Sequence, residues 1–112
     1  MFVSSRASGG TLVAEISLIP LKGKLSMSEE IATAFGAIRK TKGLKVTLTG
    51  MGTLVESSNL KDILSAVEAA HEAVTEAGAA RIITTIRIDQ RLDKSQTLKD
   101  RVSAVRHKLG EN

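Results

Sequence analysis

The order in which hydrophobic periodicity changes along this chain constrains its fold more than any other feature. From Leu12 to Ile19 apolar residues alternate with period two, placing Leu12, Ala14, Ile16 and Leu18 on one face and Val13, Glu15, Ser17 and Ile19 on the other. Pro20 is expected to end this strand, because proline cannot donate to a sheet ladder. The period then lengthens. Ser26 to Glu29 reads as a capping box, followed by Ile31, Ala34, Phe35 and Ile38 on one helical stripe, with Gly43 as the stop. Lys45–Thr49 and Thr53–Ser57 are short runs rich in β-branched residues around Gly50-Met51-Gly52, which predicts a hairpin. A second helix starts at a cap on Ser58 or Asn59. It carries Leu60, Ile63, Leu64, Val67, Ala70, His71 and Val74 on its stripe and stops at Gly78. Arg81–Asp89 alternates again, and Ser95–Leu109 reads as a polar helix edged by Leu98, Val102, Val105 and Leu109.

The element order is therefore β-α-β-β-α-β-α. Short connections and right-handed crossovers predict an α+β fold of the ferredoxin-like βαββαβ kind: a four-stranded antiparallel sheet with two helices on one face, plus a C-terminal helix. Residues 1–10 read as a flexible leader and 11–112 as one domain. The expected core is Ile16, Leu18, Ile31, Phe35, Ile38, Ile63, Val67, Val74, Ile82, Ile86 and Ile88. The face away from the helices carries Val13, Glu15, Ser17, Ile19, Arg81, Ile83, Thr85 and Arg87. That surface is too apolar to be plainly solvated, so it is expected to meet a ligand or another subunit.

Composition removes several function classes. The chain has no cysteine, which rules out disulfides, thiolate metal sites and cysteine nucleophiles, and suits a reducing cytoplasm. Nothing at the start resembles a secretory signal, and no stretch is long and apolar enough to span a membrane. The net charge of +4 is too small to argue for nucleic acid. Phe2 and Phe35 are the only aromatic residues, so the central strands lack the rings an RNA-reading sheet stacks on bases. His71 and His107 are the only histidines. They support no metal set, and His71 is read as a packed histidine bonded to a backbone carbonyl. Neither a phosphate-binding glycine loop nor a nucleophile elbow is present. The expectation is a protein that is not an enzyme and needs no cofactor.

The most informative segment is Thr47–Glu56 (TLTGMGTLVE). Gly50 and Gly52 admit close backbone approach, and the Thr49 and Thr53 hydroxyls both donate and accept. Strand parity places Glu56 with Leu54, opposite Thr53 and Val55, and a carboxylate half-buried in a sheet needs a partner. Two partners stay open: Arg81 or Arg87 in an ion pair, or the amino group or protonated ring nitrogen of a bound heterocycle.

In Ile16-Ser17-Leu18-Ile19-Pro20, Leu48-Thr49-x-Met51-Gly52-Thr53 with Glu56, His71-Glu72 and Arg81–Lys94, the chain resembles the small thiamine-binding (hydroxymethylpyrimidine-binding) proteins. The resemblance runs from about residue 12 to the C-terminal helix. It departs at Gly50, where the family commonly has proline, and at Val46, where it commonly has an aromatic residue. It implies a ferredoxin-like fold, homo-oligomers (dimer or tetramer) joined partly through sheets, and a non-enzymatic site for thiamine or its pyrimidine moiety. Carried over by position, the implied ligand-binding residues are Ser17, Thr49, Met51, Thr53, Glu56 and Thr85. The alternative is a structural or regulatory homo-oligomer with no thiamine-related ligand.

Overall fold

A computed structural model describes residues 10–111. Apart from Gly10, the expected leader lies outside the described residues. The elements are β1 (Leu12–Leu21), α1 (Ser28–Lys40), β2 (Lys45–Leu48), β3 (Thr53–Ser57), α2 (Leu60–Glu76), β4 (Arg81–Gln90) and α3 (Leu98–Lys108). The sheet order is β2-β3-β1-β4, antiparallel throughout. This is the expected βαββαβ arrangement.

Register explains the two faces. Leu12, Ala14 and Ile16 lie beside Ser57, Val55 and Thr53, and also beside Gln90, Ile88 and Ile86, so this set faces the helices. The interior consists of Leu12, Ala14, Ile16, Leu18, Ala34, Ile38, Val55, Ile63, Ala66, Ala70 and Val74. Val67, Ile82 and Ile86 pack at its margin. Small residues dominate where α1, α2 and the sheet meet: Ala34, Ala66 and Ala70 are all buried. Without bulky rings, close packing is reached by bringing backbones together.

Several expectations change at element ends and margins. Ile31 and Ile88 are 40% and 38% exposed, Ile31 in the first turn of α1 and Ile88 on the edge strand β4. Phe35 is only half-buried, and the Arg39 guanidinium lies 5.5 Å above its ring. Leu60 and Leu64 turn outward, since the buried line of α2 runs through Ile63, Ala66, Ala70 and Val74. The Ser26–Glu29 capping box does not form. Helix α1 begins at Ser28 behind Met27 with no side-chain cap, while Lys24 lies 3.8 Å from Glu29 and 3.1 Å from the buried Glu30. The capping box lies instead at α3, where Thr97 and Asp100 bond each other's backbone amides. Asn59 caps α2, its side chain accepting from Lys61 N–H at 2.9 Å. Strand β1 continues through Pro20 to Leu21. Proline is tolerated there because β3 pairs with β1 only as far as Ile16, so that among the described residues no strand pairs with Pro20 on that side.

Candidate functional site

That mismatch in strand length builds a cleft. Beyond Ile16, β1 has β4 on one side and, among the described residues, no paired strand on the other. The β2–β3 turn closes over the gap, and α1 forms its back wall. The cleft holds about 210 Å³ and is lined by Ile16–Ile19 from β1, Ile31, Ala34, Phe35 and Ile38 from α1, and Leu48–Thr53 from the hairpin. No charged side chain lines it.

The turn is rigid for local reasons. Thr49 N–H donates to the Gly52 carbonyl at 2.9 Å, and the Thr49 hydroxyl donates to the same oxygen at 2.8 Å. That hydroxyl also accepts from Gly52 N–H at 3.1 Å and Met51 N–H at 3.3 Å. One donor and two lone pairs are thus all engaged inside the turn. Gly52 is required by proximity, because a Cβ there would come within 2.9 Å of the Ile16 carbonyl oxygen. Met51 stands at the tip, 86% exposed. Thr53 is buried and lines the cleft.

The six residues named from sequence therefore divide. Ser17, Thr49, Met51 and Thr53 come together at the cleft. Glu56 and Thr85 do not. Thr85 lies beside Ser17 on the open face of the sheet, exposed. Glu56 is buried on that same face but toward its far end, across from Val13 and Lys45. Its Oε1 accepts from Leu98 N–H at 3.1 Å, and its Oε2 lies 3.9 Å from Lys45 Nζ. The ion pair with Arg81 or Arg87, one of the two partners left open, does not form, and β1 lies between β3 and β4. Arg87 pairs with Glu15 at 3.4 Å instead.

A larger hollow, about 790 Å³, lies beside Glu56 between the open face and α3. Its charges are largely matched within the fold: Glu15 with Arg87, and Asp89 with Arg101 at 2.5 Å. The Arg101 bond holds the Asp89 carboxyl below its ordinary range, and the Thr97 backbone amide does the same for Asp100. These contacts tether α3. His71 is also committed, its Nε2 lying 2.7 Å from the Thr84 hydroxyl rather than at a backbone carbonyl. Phe35 and Leu48 are cleft residues that the sequence reading left out. The available signal was the unequal length of β1 and β3.

Residues 14–106 match the family described as thiamine-binding protein. The chain belongs to this family. A relative from Methanothermobacter thermautotrophicus, described as a UPF0045 protein, is 40% identical over 99 residues, covering 88% of this chain and 99% of the relative. Bacillus subtilis YqgV is 34% identical over 101 residues, covering 87% of this chain and 96% of its own. The crystal structure of MJ1052 from Methanocaldococcus jannaschii superposes with a TM-score of 0.77 at 35% identity, covering 85% of this chain and 95% of that one. A Thermotoga maritima protein, TM0486, described as a putative thiamine biosynthesis/salvage protein, shares the fold with a TM-score of 0.71 at 22% identity, over 86% of this chain and 99% of that one. Among the described residues no helix is long and apolar enough to cross a membrane.

Proposed function

We propose that this family member is a non-enzymatic, cytoplasmic binding protein for thiamine or its pyrimidine moiety, working as a homo-oligomer. The observation that carries the reading is the uncharged cleft between β1, α1 and the hairpin turn, where four of the six family-implied residues meet. Its walls are aliphatic with one half-buried ring and a few hydroxyl residues, and mostly apolar walls with few polar groups are usual for a small-molecule site. In this reading Thr49 shapes the turn, Met51 supplies a soft apolar contact at the mouth, Thr53 offers a hydroxyl on the helix-facing side, and Ser17 lines the cleft from a strand position whose side chain turns to the open face. Glu56 is a structural residue that anchors α3 through the Leu98 amide.

The oligomer reading draws support from the apolar surface left uncovered. Ile83 on the open face is 43% exposed, and Val102, Val105 and Leu109 line one side of α3 at 53%, 60% and 68% exposure.

Thermal unfolding with and without thiamine tests the function. A ligand that binds only the folded state stabilises it by about 2.7 kcal/mol at one hundred times its dissociation constant. A melting temperature unmoved by saturating thiamine and by hydroxymethylpyrimidine alike rejects this function in favour of an oligomer without such a ligand.

A further inference from the structure

One stretch of the chain carries all of its excess charge. Arg39, Lys40, Lys42 and Lys45 fall within seven residues that hold no acid, and together they equal the net charge of +4. The remaining twelve lysines and arginines are matched by twelve aspartates and glutamates. The stretch runs from the last turn of α1 to the start of β2, and all four side chains are exposed. Arg39 and Lys40 complement the carbonyl end of α1, but Lys42 and Lys45 lie beyond the helix. Among the described residues Arg39, Lys40 and Lys42 make no ion pair. Lys45 lies 3.9 Å from Glu56 with its side chain 74% exposed. Asp62 lies against Gly43 in the intervening turn and offsets part of this charge.

These cations flank an unpaired sheet edge. Strand β2 is outermost, and among the described residues β3 is its one partner. Successive residues of an antiparallel strand present N–H and C=O alternately to the two sides. Thr49 N–H donates to Gly52 across the hairpin, so Thr47 and Lys45, which share its parity, face β3. Val46 and Leu48 therefore turn their N–H and C=O outward. Val46 packs at the core margin and Leu48 is 57% exposed, which makes the helix side of this edge apolar. Lys45 and Thr47 give the other side a charge and a hydroxyl.

We propose that the outer edge of β2 is a docking surface for an extended acidic segment of another protein, one in which acidic and apolar residues alternate. The added strand pairs its backbone with Val46 and Leu48 and sets its apolar side chains beside theirs. Its carboxylates lie beside Lys45 and along the run to Lys42, Lys40 and Arg39. Charge selects this occupant. A second copy would bring the same four cations to the edge, and lysines on an edge strand oppose such self-pairing. A lipid surface would offer no partner to the stripped amides and carbonyls. Of the paired residues only Leu48 also lines the cleft, so docking here is independent of what the cleft binds.

The test is a titration of the isotope-labelled full chain with a short blocked peptide alternating glutamate and valine, following backbone amide resonances. Three comparisons accompany it: the same peptide with lysine for glutamate, its fully N-methylated analogue, and phosphatidylserine vesicles. The acidic peptide should bind and slow the exchange of the Val46 and Leu48 amides most. Lys40→Glu combined with Lys42→Glu should weaken it about tenfold, with the fold checked by circular dichroism. Binding should also weaken between about 0.01 M and about 1 M salt, as the screening length falls from roughly 30 Å to roughly 3 Å. The lysine and N-methylated peptides should not bind. A chain that ignores the acidic peptide, binds it equally after the double substitution, or accepts the N-methylated form equally well overturns the proposal. Sedimentation with the vesicles in place of peptide binding assigns the edge to a membrane and overturns it too. A fall in the mass measured by light scattering on the double substitution does the same, by assigning the edge to a second copy.

Discussion

Helices α2 and α3 carry similar local signals and end in opposite situations. Each has a polar N-cap, Asn59 for α2 and Thr97 for α3, and each has an apolar stripe. Yet α2 buries Ile63, Ala66, Ala70 and Val74, while α3 buries none of its residues. Capping decides where a helix starts; it does not decide whether the helix joins a core. The stripe of α2 meets a sheet face whose register presents matching apolar residues. The stripe of α3 leaves the sheet edge and is held by polar tethers, Glu56 to the Leu98 amide and Asp89 to Arg101. The first helix is stabilised by burial and the second by local bonds, and the two respond to different perturbations.

The contrast is sharpest when the interior is cut. Ile63→Ala should lower global stability by about 2–5 kcal/mol, read by chemical denaturation, because Ile63 is fully buried and a cavity is left behind. A loss below about 1 kcal/mol would show that α2 is no more embedded than α3.

Thr97→Ala should cost about 1 kcal/mol, the usual loss for a removed cap. The loss should appear as faster amide exchange confined to α3, with the exchange of α2 unchanged. Equal acceleration in both helices would mean that α3 is part of one cooperative unit with the core.

Acid should reproduce this detachment. Asp89 and Asp100 are more acidic in the folded chain than in the unfolded one, so their stabilising contribution is complete above their unfolded value of about 3.9. It is lost as the pH falls through the lower folded values. The α3 amides should therefore lose protection below about pH 3.9, and more steeply than those of α2. Parallel loss in both helices would contradict the tethering role of Asp89 and Asp100.

The smallest effect on the fold is expected from Val105→Asp on the exposed stripe of α3. Stability of the single chain should change by less than about 0.5 kcal/mol. If that stripe is an interface, the mass measured by light scattering should fall while the circular dichroism of the chain is preserved. An unchanged oligomer would place the interface elsewhere, with the open sheet face the next surface to alter.

Much of the architecture was legible because periodicity reports which side of an element is apolar. The element order, the antiparallel sheet, the two faces of β1 and β4, the turn at Gly50–Gly52 and the Asn59 cap all follow from local rules. The α1 start was misread, since Ser26 and Glu29 have the right spacing but Lys24 engages Glu29 and Glu30 instead. For the site, four of the six residues that the family resemblance named line one cleft, and Glu56, which the same resemblance named, lies apart from them. Strand β3 carries Thr53 and Glu56 to opposite faces, and no one-dimensional spacing shows which face a cavity opens on.

The sequence by itself determined that this chain forms a helix-covered antiparallel sheet with an aliphatic core, because its periods and its lack of aromatic residues admit little else. Only the tertiary structure decided that β1 outruns β3, that Pro20 continues the strand where no donor is needed, and that among the described residues the amides and carbonyls of Val46 and Leu48 are left on an unpaired edge. Strand pairing depends on residues far apart in the chain, and an unpaired backbone edge is the absence of a neighbour, which no local pattern of side chains records.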